Sequence, residues 1–337
     1  MFNKFKKAIL FGVCLMFASL SALPSVIKTN SSNAYADGVA EIAMELESGT
    51  VFHKKNEELK LPMASTTKIM TALIVAEDCD LTEVISVPDE AVGVEGSSIY
   101  LKREEKISVK DLLYGLMLRS GNDAATALAI HHSGSVENFV EKMNSRAEEL
   151  GANKTHFKNP SGLPDAEHYT TARDLCTITC SAMKNEIFAK VVGTKSYSGD
   201  FRAFTNKNKL LNNFDGANGV KTGYTEKAGR CLVSSAKRAG MDVVCVVLNC
   251  YDMFERSQKI IEGCFDKYAV ETISNNIIFN FNGTPCKLNE DARIIVEKGK
   301  ELDYKVSSAN CNCGAIAQLN IYCEKSLIFN GNLFTIK

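Results

Sequence analysis

No excess of positive charge, no internal repeat, no low-complexity linker and no metal-ligand motif marks this chain of 337 residues. The formal balance is −1. It turns more acidic once an N-terminal export segment carrying four lysines and no acid is set aside, which argues against nucleic acid as a partner. CxxC and His-rich patterns are missing, and His131-His132 has no third ligand near it, so no metal and no other cofactor is expected. The apolar run Ala8 to Leu23 is short for a membrane span. With Lys4, Lys6 and Lys7 before it and Ala34-Tyr35-Ala36 after it, the run reads as a secretory signal over residues 1–36. Twelve cysteines in an exported chain would suggest a disulfide framework, but these are dispersed, and eleven follow the signal. An odd number leaves at least one thiol free, and the expectation is mostly free, packed cysteines.

What is present is ordinary globular material, 45% apolar and long enough for one large and one small domain. Ile42, Met44 and Leu46 alternate with glutamates and, after Ser48-Gly49, lead into Val51-Phe52, which predicts a hairpin. An apolar helix follows Ser65, and Val84 to Val87 reads as a short strand. Ser108-x-x-Asp111 is a capping box, and its helix ends at Arg119-Ser120-Gly121-Asn122. Further helices are predicted from Asp123 to His131, from Val136 to a stop at Gly151, and after the cap Thr171-x-x-Asp174. The period then becomes alternating, with strands around Val220 to Thr222, Cys231 to Lys237 and Asp242 to Asn249, and a last helix through Ile260 and Phe265. Strands, helices, strands and a helix in that order give an α+β fold, an antiparallel sheet with a mainly helical insert. From about Glu271 the texture is short strands with Asn330-Gly331 as a hairpin turn, so 37–270 and 271–337 are expected as separate domains.

Chemistry is suggested by Met63-Ala-Ser65-Thr-Thr-Lys68-Ile-Met70, which sets a hydroxyl and a lysine on one face at the start of a helix. A neutral Lys68 could take the Ser65 proton, and the helix start offers positive charge to a developing anion. Ser25/Lys28, Ser181/Lys184 and Ser234/Lys237 share the spacing, so context decides. That context is Ser120-Gly121-Asn122, 52 residues after Lys68, and Lys221-Thr222-Gly223, 99 residues after Asn122. Ser-x-x-Lys, Ser-x-Asn and Lys-Thr-Gly motifs in this order are the set found in penicillin-binding proteins and serine β-lactamases.

Through Ser65-Thr-Thr-Lys68, Ser120-Gly-Asn-Asp-Ala-Ala125, Asn159-Pro-Ser-Gly-Leu163, His168-Tyr-Thr-Thr-Ala-Arg-Asp174 and Asn218-Gly-Val-Lys-Thr-Gly-Tyr-Thr225, the chain resembles the D-alanyl-D-alanine carboxypeptidases of the serine S11 family, the low-molecular-weight penicillin-binding proteins. The resemblance implies a penicillin-binding protein/serine β-lactamase-like antiparallel sheet flanked by helices, an all-helical subdomain and a small C-terminal all-β domain. It implies that Ser65 attacks the bond between the terminal D-alanines of a peptidoglycan stem peptide and that β-lactams acylate it covalently. Lys68 would be the base, kept neutral by Lys221 and burial. Ser120 would relay the proton, and Asn122 would bond the substrate amide or Lys68. Thr222 and a cation would hold the terminal carboxylate, Gly223 would allow close approach, and the N–H groups of Ser65 and Tyr224 would form the oxyanion hole. Arg256 and, less favoured, Lys207 are the candidate cations. Asp174 reads as a helix cap and His168 as a loop residue.

The same residues admit two other readings. A β-lactamase needs a carboxylate for its deacylating water, and Glu149 with Asn153 offers one only superficially. A non-catalytic wall-binding module would capture penicillin without releasing D-alanine. Many members of the family end in an amphipathic membrane helix; none is seen here, so the expectation is a protein exported to the outer or wall side of the membrane, released or held at the wall.

Overall fold

The computed structural model describes residues 38–309 and 313–336. The signal expected over 1–36 lies outside the described residues. Among those described, no helix is long and apolar enough to cross a membrane.

The described residues open with β1 (Ala40–Glu45) and β2 (Val51–Lys55), the expected hairpin. A 3-10 turn, Ala64–Thr67, runs into α1 (Lys68–Asp78), whose residues from Lys68 to Ala76 are all buried. β3 (Val84–Ser86) pairs with β4 (Lys106–Ser108). Ser108 then caps α2 (Val109–Tyr114), its Oγ accepting from the Asp111 N–H at 3.0 Å. A π turn, Gly115–Arg119, ends at Ser120 in the left-handed region (φ 67°), and α3 (Asn122–Ser133) begins two residues later. α4 (Val136–Glu149) and α5 (Ala172–Lys184) start at Ser135 and Thr171, each of which caps its helix, Thr171 as the sequence predicts.

Between Lys184 and Val220 the sequence reading assigns no element. The structure has α6 (Glu186–Gly193), the hairpin of β5 (Ser196–Ser198) and β6 (Ala203–Thr205), and α7 (Leu210–Asn213). These pieces are too short for a periodic signal; the hairpin is held by tertiary stacking of Tyr197 on Tyr114, ring centroids 3.6 Å apart. β7 (Ala217–Thr225), β8 (Gly229–Arg238) and β9 (Met241–Leu248) complete an antiparallel sheet in the order β2-β1-β9-β8-β7, with β7 at an edge.

One face of that sheet, through Ile42, Val233, Val244 and Val246, packs on the helical insert. The other, through Ala43, Leu232, Val243 and Val247, is covered by α8 (Met253–Lys267). Each fully buried aliphatic side chain contributes about 1.5–3 kcal/mol, so two covered faces make this sheet the centre of stability. Burial on both faces also encloses two charges that alternation alone would send to solvent. Glu41 is bound by Arg256 and His53, and Glu45 by Arg293 and the Ser48 N–H.

The remaining strands are β10 (Tyr268–Ile273), β11 (Phe279–Phe281), β12 (Thr284–Lys287), β13 (Ala292–Glu297), β14 (Leu302–Ser308), β15 (Ala317–Cys323) and β16 (Ser326–Thr335). β10 pairs with β13, and the other five form a sheet ordered β11-β12-β16-β15-β14 over its own apolar cluster. Glu271 falls inside β10. Asn330-Gly331 is not a turn: both residues lie within β16, opposite Asn320 and Leu319, and the chain reverses at Glu324-Lys325, both left-handed. Asn-Gly favours a turn locally, but strand register places the pair inside β16, where Gly331 clears the Phe329 ring.

Nine described cysteines are free, most of them buried in the two faces of the main sheet, while Cys313 is disulfide-bonded.

Candidate active site

Three segments meet at Ser65. The first is its own turn, where Ala64 has φ 48° and the hydroxyls of Thr66 and Thr67 donate to the Met63 and Ala64 carbonyls at 2.6 and 2.9 Å. Those bonds hold a turn too tight for a full α-helical pattern and leave Ser65 half-buried at the helix mouth. The second is the junction between the π turn and α3, which supplies Ser120 and Asn122. The third is edge strand β7, which supplies Lys221 to Tyr224. Gly223 makes the approach possible: a Cβ there would come within 3.1 Å of the Ser65 nitrogen and 3.2 Å of the Met63 carbonyl.

Lys68 is fully buried and its Nζ lies 3.0 Å from Ser65 Oγ. The same nitrogen donates to Asn122 Oδ1 at 2.7 Å and to the Ser161 carbonyl at 2.5 Å. Asn122 is oriented by its own amide, whose Nδ2 donates to the Glu95 carbonyl at 2.6 Å, so Oδ1 must face the lysine. Burial first, then the Lys221 and Lys207 charges, hold the Lys68 ammonium well below the usual lysine range, with Asp123 opposing. Burial and Lys207 bring Lys221 down to about 7; its Nζ donates to the Thr222 carbonyl at 2.9 Å.

Ser65, Ser120, Thr222, Gly223, Tyr224 and Lys207 line one cavity of about 300 Å³. A second, of about 630 Å³, opens on the other side of Ser65 and is walled by Asn122, Ser161, Gly162, Leu163 and Glu226. Among the described residues no group of three His, Cys, Asp or Glu side chains is placed to hold a metal ion.

The structure therefore brings together Ser65, Lys68, Ser120, Asn122, Lys221, Thr222, Gly223 and Tyr224. It does not bring Arg256. Nε and an Nη of that guanidinium donate to the two Glu41 oxygens at 2.8 and 2.7 Å, on the sheet face covered by α8, away from the helical face. Glu41 is 1% exposed, so the pair is a buried neutralisation with no cation to spare for a ligand. Lys207, the less favoured candidate, lines the 300 Å³ cavity at Ser65, placed by the β5–β6 hairpin, which has no counterpart among the sequence expectations.

Asp174, expected as a helix cap, gives its N–H to the capping Thr171 hydroxyl, while its carboxylate accepts from the Lys154 N–H and the Thr155 hydroxyl and ties that loop to the start of α5. His168 is buried; its Nδ1 accepts from the Lys158 N–H, which leaves the Nε2 hydrogen for Thr67 Oγ1 at 2.7 Å. Burial drops its pKa to about 4, so it is a neutral brace of the Ser65 turn. Glu149 sits on the exposed end of α4, paired with Arg146.

Two contributors escaped the sequence reading. The Ser161 carbonyl binds Lys68, and Gly162 (φ +89°) lies where a Cβ would strike the Ala64 carbonyl at 1.9 Å. Their signal was the Asn159-Pro-Ser-Gly-Leu163 motif, which the sequence offered as turn chemistry and as part of the family resemblance, without roles for its residues: Asn159 Oδ1 accepts from the N–H groups of Ser161, Gly162 and Leu163 and folds that loop against the Ser65 turn.

Residues 27–252 match the family model described as D-alanyl-D-alanine carboxypeptidase. The D-alanyl-D-alanine carboxypeptidase DacF of Bacillus subtilis is 33% identical over 308 residues, 87% of this chain and 76% of that one. The D-alanyl-D-alanine carboxypeptidase of Streptomyces sp. strain K15 is 38% identical over 259 residues, 70% of this chain and 88% of its own. Among solved structures, the carboxypeptidase DacD of Francisella tularensis superposes with a TM-score of 0.74 at 28% identity, covering 91% of this chain and 94% of that one. Penicillin-binding protein 5 of Haemophilus influenzae does so with 0.76 at 26% identity, covering 88% and 96%. Sequence and structure agree, and the chain belongs to the peptidase S11 family, that of the D-alanyl-D-alanine carboxypeptidases.

Proposed function

We propose that Ser65 is the nucleophile with which this serine-type carboxypeptidase removes the last D-alanine from peptidoglycan stem pentapeptides. The observation that carries the reading is the environment of Lys68 Nζ. A neutral amine has two hydrogens and one lone pair. Asn122 Oδ1 and the Ser161 carbonyl can only accept, so they take both hydrogens and turn the lone pair toward the Ser65 hydroxyl. Burial and two neighbouring cations favour that form by disfavouring the ammonium.

The substrate would lie along the outer edge of β7 as an added strand, with Gly223 giving it room. Its terminal carboxylate would rest on the Thr222 hydroxyl and Lys207. Ser65 Oγ would add to the carbonyl of the penultimate D-alanine as Lys68 takes its proton, and the oxyanion would meet the N–H groups of Ser65 and Tyr224. Each such donor is worth about 10²- to 10³-fold in rate. Ser120, in the same cavity, would pass the proton to the departing amine. Water, activated by the same lysine, would then clear the acyl-enzyme. The family's chemistry extends to β-lactams, whose ring carbonyl would be attacked by the same Ser65.

The finer setting belongs to the same proposal. Residues 1–36 would be an export signal, 37–270 the catalytic unit and 271–337 a small β unit, acting on the wall side of the membrane. A β-lactamase reading finds no support in Glu149, which is on the surface and committed to Arg146.

The test is D-alanine release from a pentapeptide ending in D-Ala-D-Ala, with mass spectrometry of the protein after penicillin exposure. Release with a slowly cleared adduct on Ser65 is expected. An adduct without release would favour a binding module, and rapid penicillin turnover a β-lactamase.

A further inference from the structure

Asp123 follows the Ser-x-Asn motif directly and has no role in the steps above, yet it is a buried carboxylate, 1% exposed, that no cation touches among the described residues. It accepts the Ser98 hydroxyl at 2.5 Å, the Ile99 N–H at 3.0 Å, the Leu101 N–H at 3.1 Å and the Ala124 N–H at 2.9 Å. Four donors from two segments are thus gathered on one side chain. They fasten residues 98–101 to the first turn of α3.

That strap is continuous with the wall of the site. Just before it, the Ser97 carbonyl accepts from the Asn122 N–H at 2.7 Å, and the Glu95 carbonyl accepts from Asn122 Nδ2. Gly96 between them has φ +91°, and a Cβ there would lie 2.7 Å from Asn122 Nδ2. Ser97 Oγ is 3.5 Å from Lys207 Nζ. So the segment that Asp123 anchors holds the amide that binds Lys68 and also the hydroxyl beside the cavity's cation. Burying an unpaired carboxylate is costly, and a helix cap alone would need one acceptor atom, not four converging donors.

We propose that Asp123 is a positioning residue of the acyl transfer: through the Glu95–Leu101 strap it fixes Asn122 on Lys68 and Ser97 beside Lys207. The proposal rests on the reading that Ser65 is the nucleophile and Lys68 its base. It adds an electrostatic consequence. The charges facing Lys68 are Lys221 from β7, Lys207 from the segment after β6, Asp123 from α3, and His168, neutral above about pH 4, from the loop before α5. Asp123 is the anion of the set. Removing its charge makes the Lys68 ammonium easier to deprotonate, so the acid limb of the rate profile must move to lower pH.

The experiment uses the full chain with Asp123→Asn, following penicillin acylation of Ser65 by intact mass and D-alanine release from pH 5 to 10. Expected are a fall in acylation rate on the order of 10- to 100-fold at the optimum, as for reacting groups displaced by a fraction of an ångström, and an acid limb displaced to lower pH. A rate loss with the limb unmoved would reduce Asp123 to a structural role and overturn the proposal, as would unchanged kinetics. If Asp123→Asn fails to fold, Ser98→Ala removes a single donor from the carboxylate and should slow acylation several-fold; parental kinetics in that variant would overturn the proposal. A parental adduct on some residue other than Ser65 would instead sink the underlying reading.

Discussion

Lys68 Nζ and Ser65 Oγ are 3.0 Å apart, one turn from each other, with the lysine's hydrogens already committed to Asn122 and Ser161. Ser65→Ala should therefore abolish both D-alanine release and covalent labelling by penicillin, and Lys68→Ala should fold but acylate about 10²- to 10⁴-fold more slowly. Labelling that survives Ser65→Ala would remove the nucleophile assignment.

Lys207 and Arg256 should separate cleanly. Lys207→Ala deletes the cation of the Ser65 cavity and should lower kcat/KM for carboxylate-terminated peptide by about tenfold or more, at about 1.5–3 kcal/mol for a charge-assisted hydrogen bond. Arg256→Leu should leave KM unchanged. It leaves the buried Glu41 with His53 as its remaining side-chain partner and should cost about 3 kcal/mol of stability, read by denaturant titration. A raised KM in Arg256→Leu with parental stability would return that residue to the cleft.

Gly162→Ala puts a methyl where the Ala64 carbonyl already is, at 1.9 Å, in a left-handed backbone. The Ser65 turn must shift, and a displacement near 1 Å should cost about 10²-fold in acylation. Gly263→Ala is the control: it lies in α8 with nothing within 4 Å of its new methyl, and should leave acylation unchanged while stabilising the fold by about 0.5–1 kcal/mol.

The buried lysines give stability a pH dependence of defined sign. Lys221 titrates at about 7 in the fold and at about 10.4 in an unfolded chain, and Lys68 is displaced in the same direction. Between those values the unfolded chain holds more protons, so the unfolding free energy rises as pH rises from about 7 toward 10. Denaturant midpoints at pH 7 and 9.5 should show this rise, and Lys221→Met should diminish it. Acylation, which needs neutral Lys68, should fall as the solution is made more acidic.

The motifs themselves were legible without coordinates, because the chemistry is carried by side chains with local roles. A serine and a lysine three residues apart share a face in any helix, Ser108 and Thr171 cap whatever helix follows them, and alternating Val and Ile make β8 and β9 wherever they lie. Tertiary structure decided what local pattern cannot encode. Glu41 and Arg256 are separated by 215 positions and meet only because α8 crosses the far face of the sheet, which is why an arginine that looked available is not. Lys207 enters the cavity because a hairpin too short to announce itself is pinned by one aromatic stack. Asn330-Gly331 became strand because its neighbours in β15 fixed the register. Sequence determined which atoms could react; the packing of distant segments determined which of them share a cavity, which charges are spent on each other, and which lysine stands beside the serine with its charged form disfavoured.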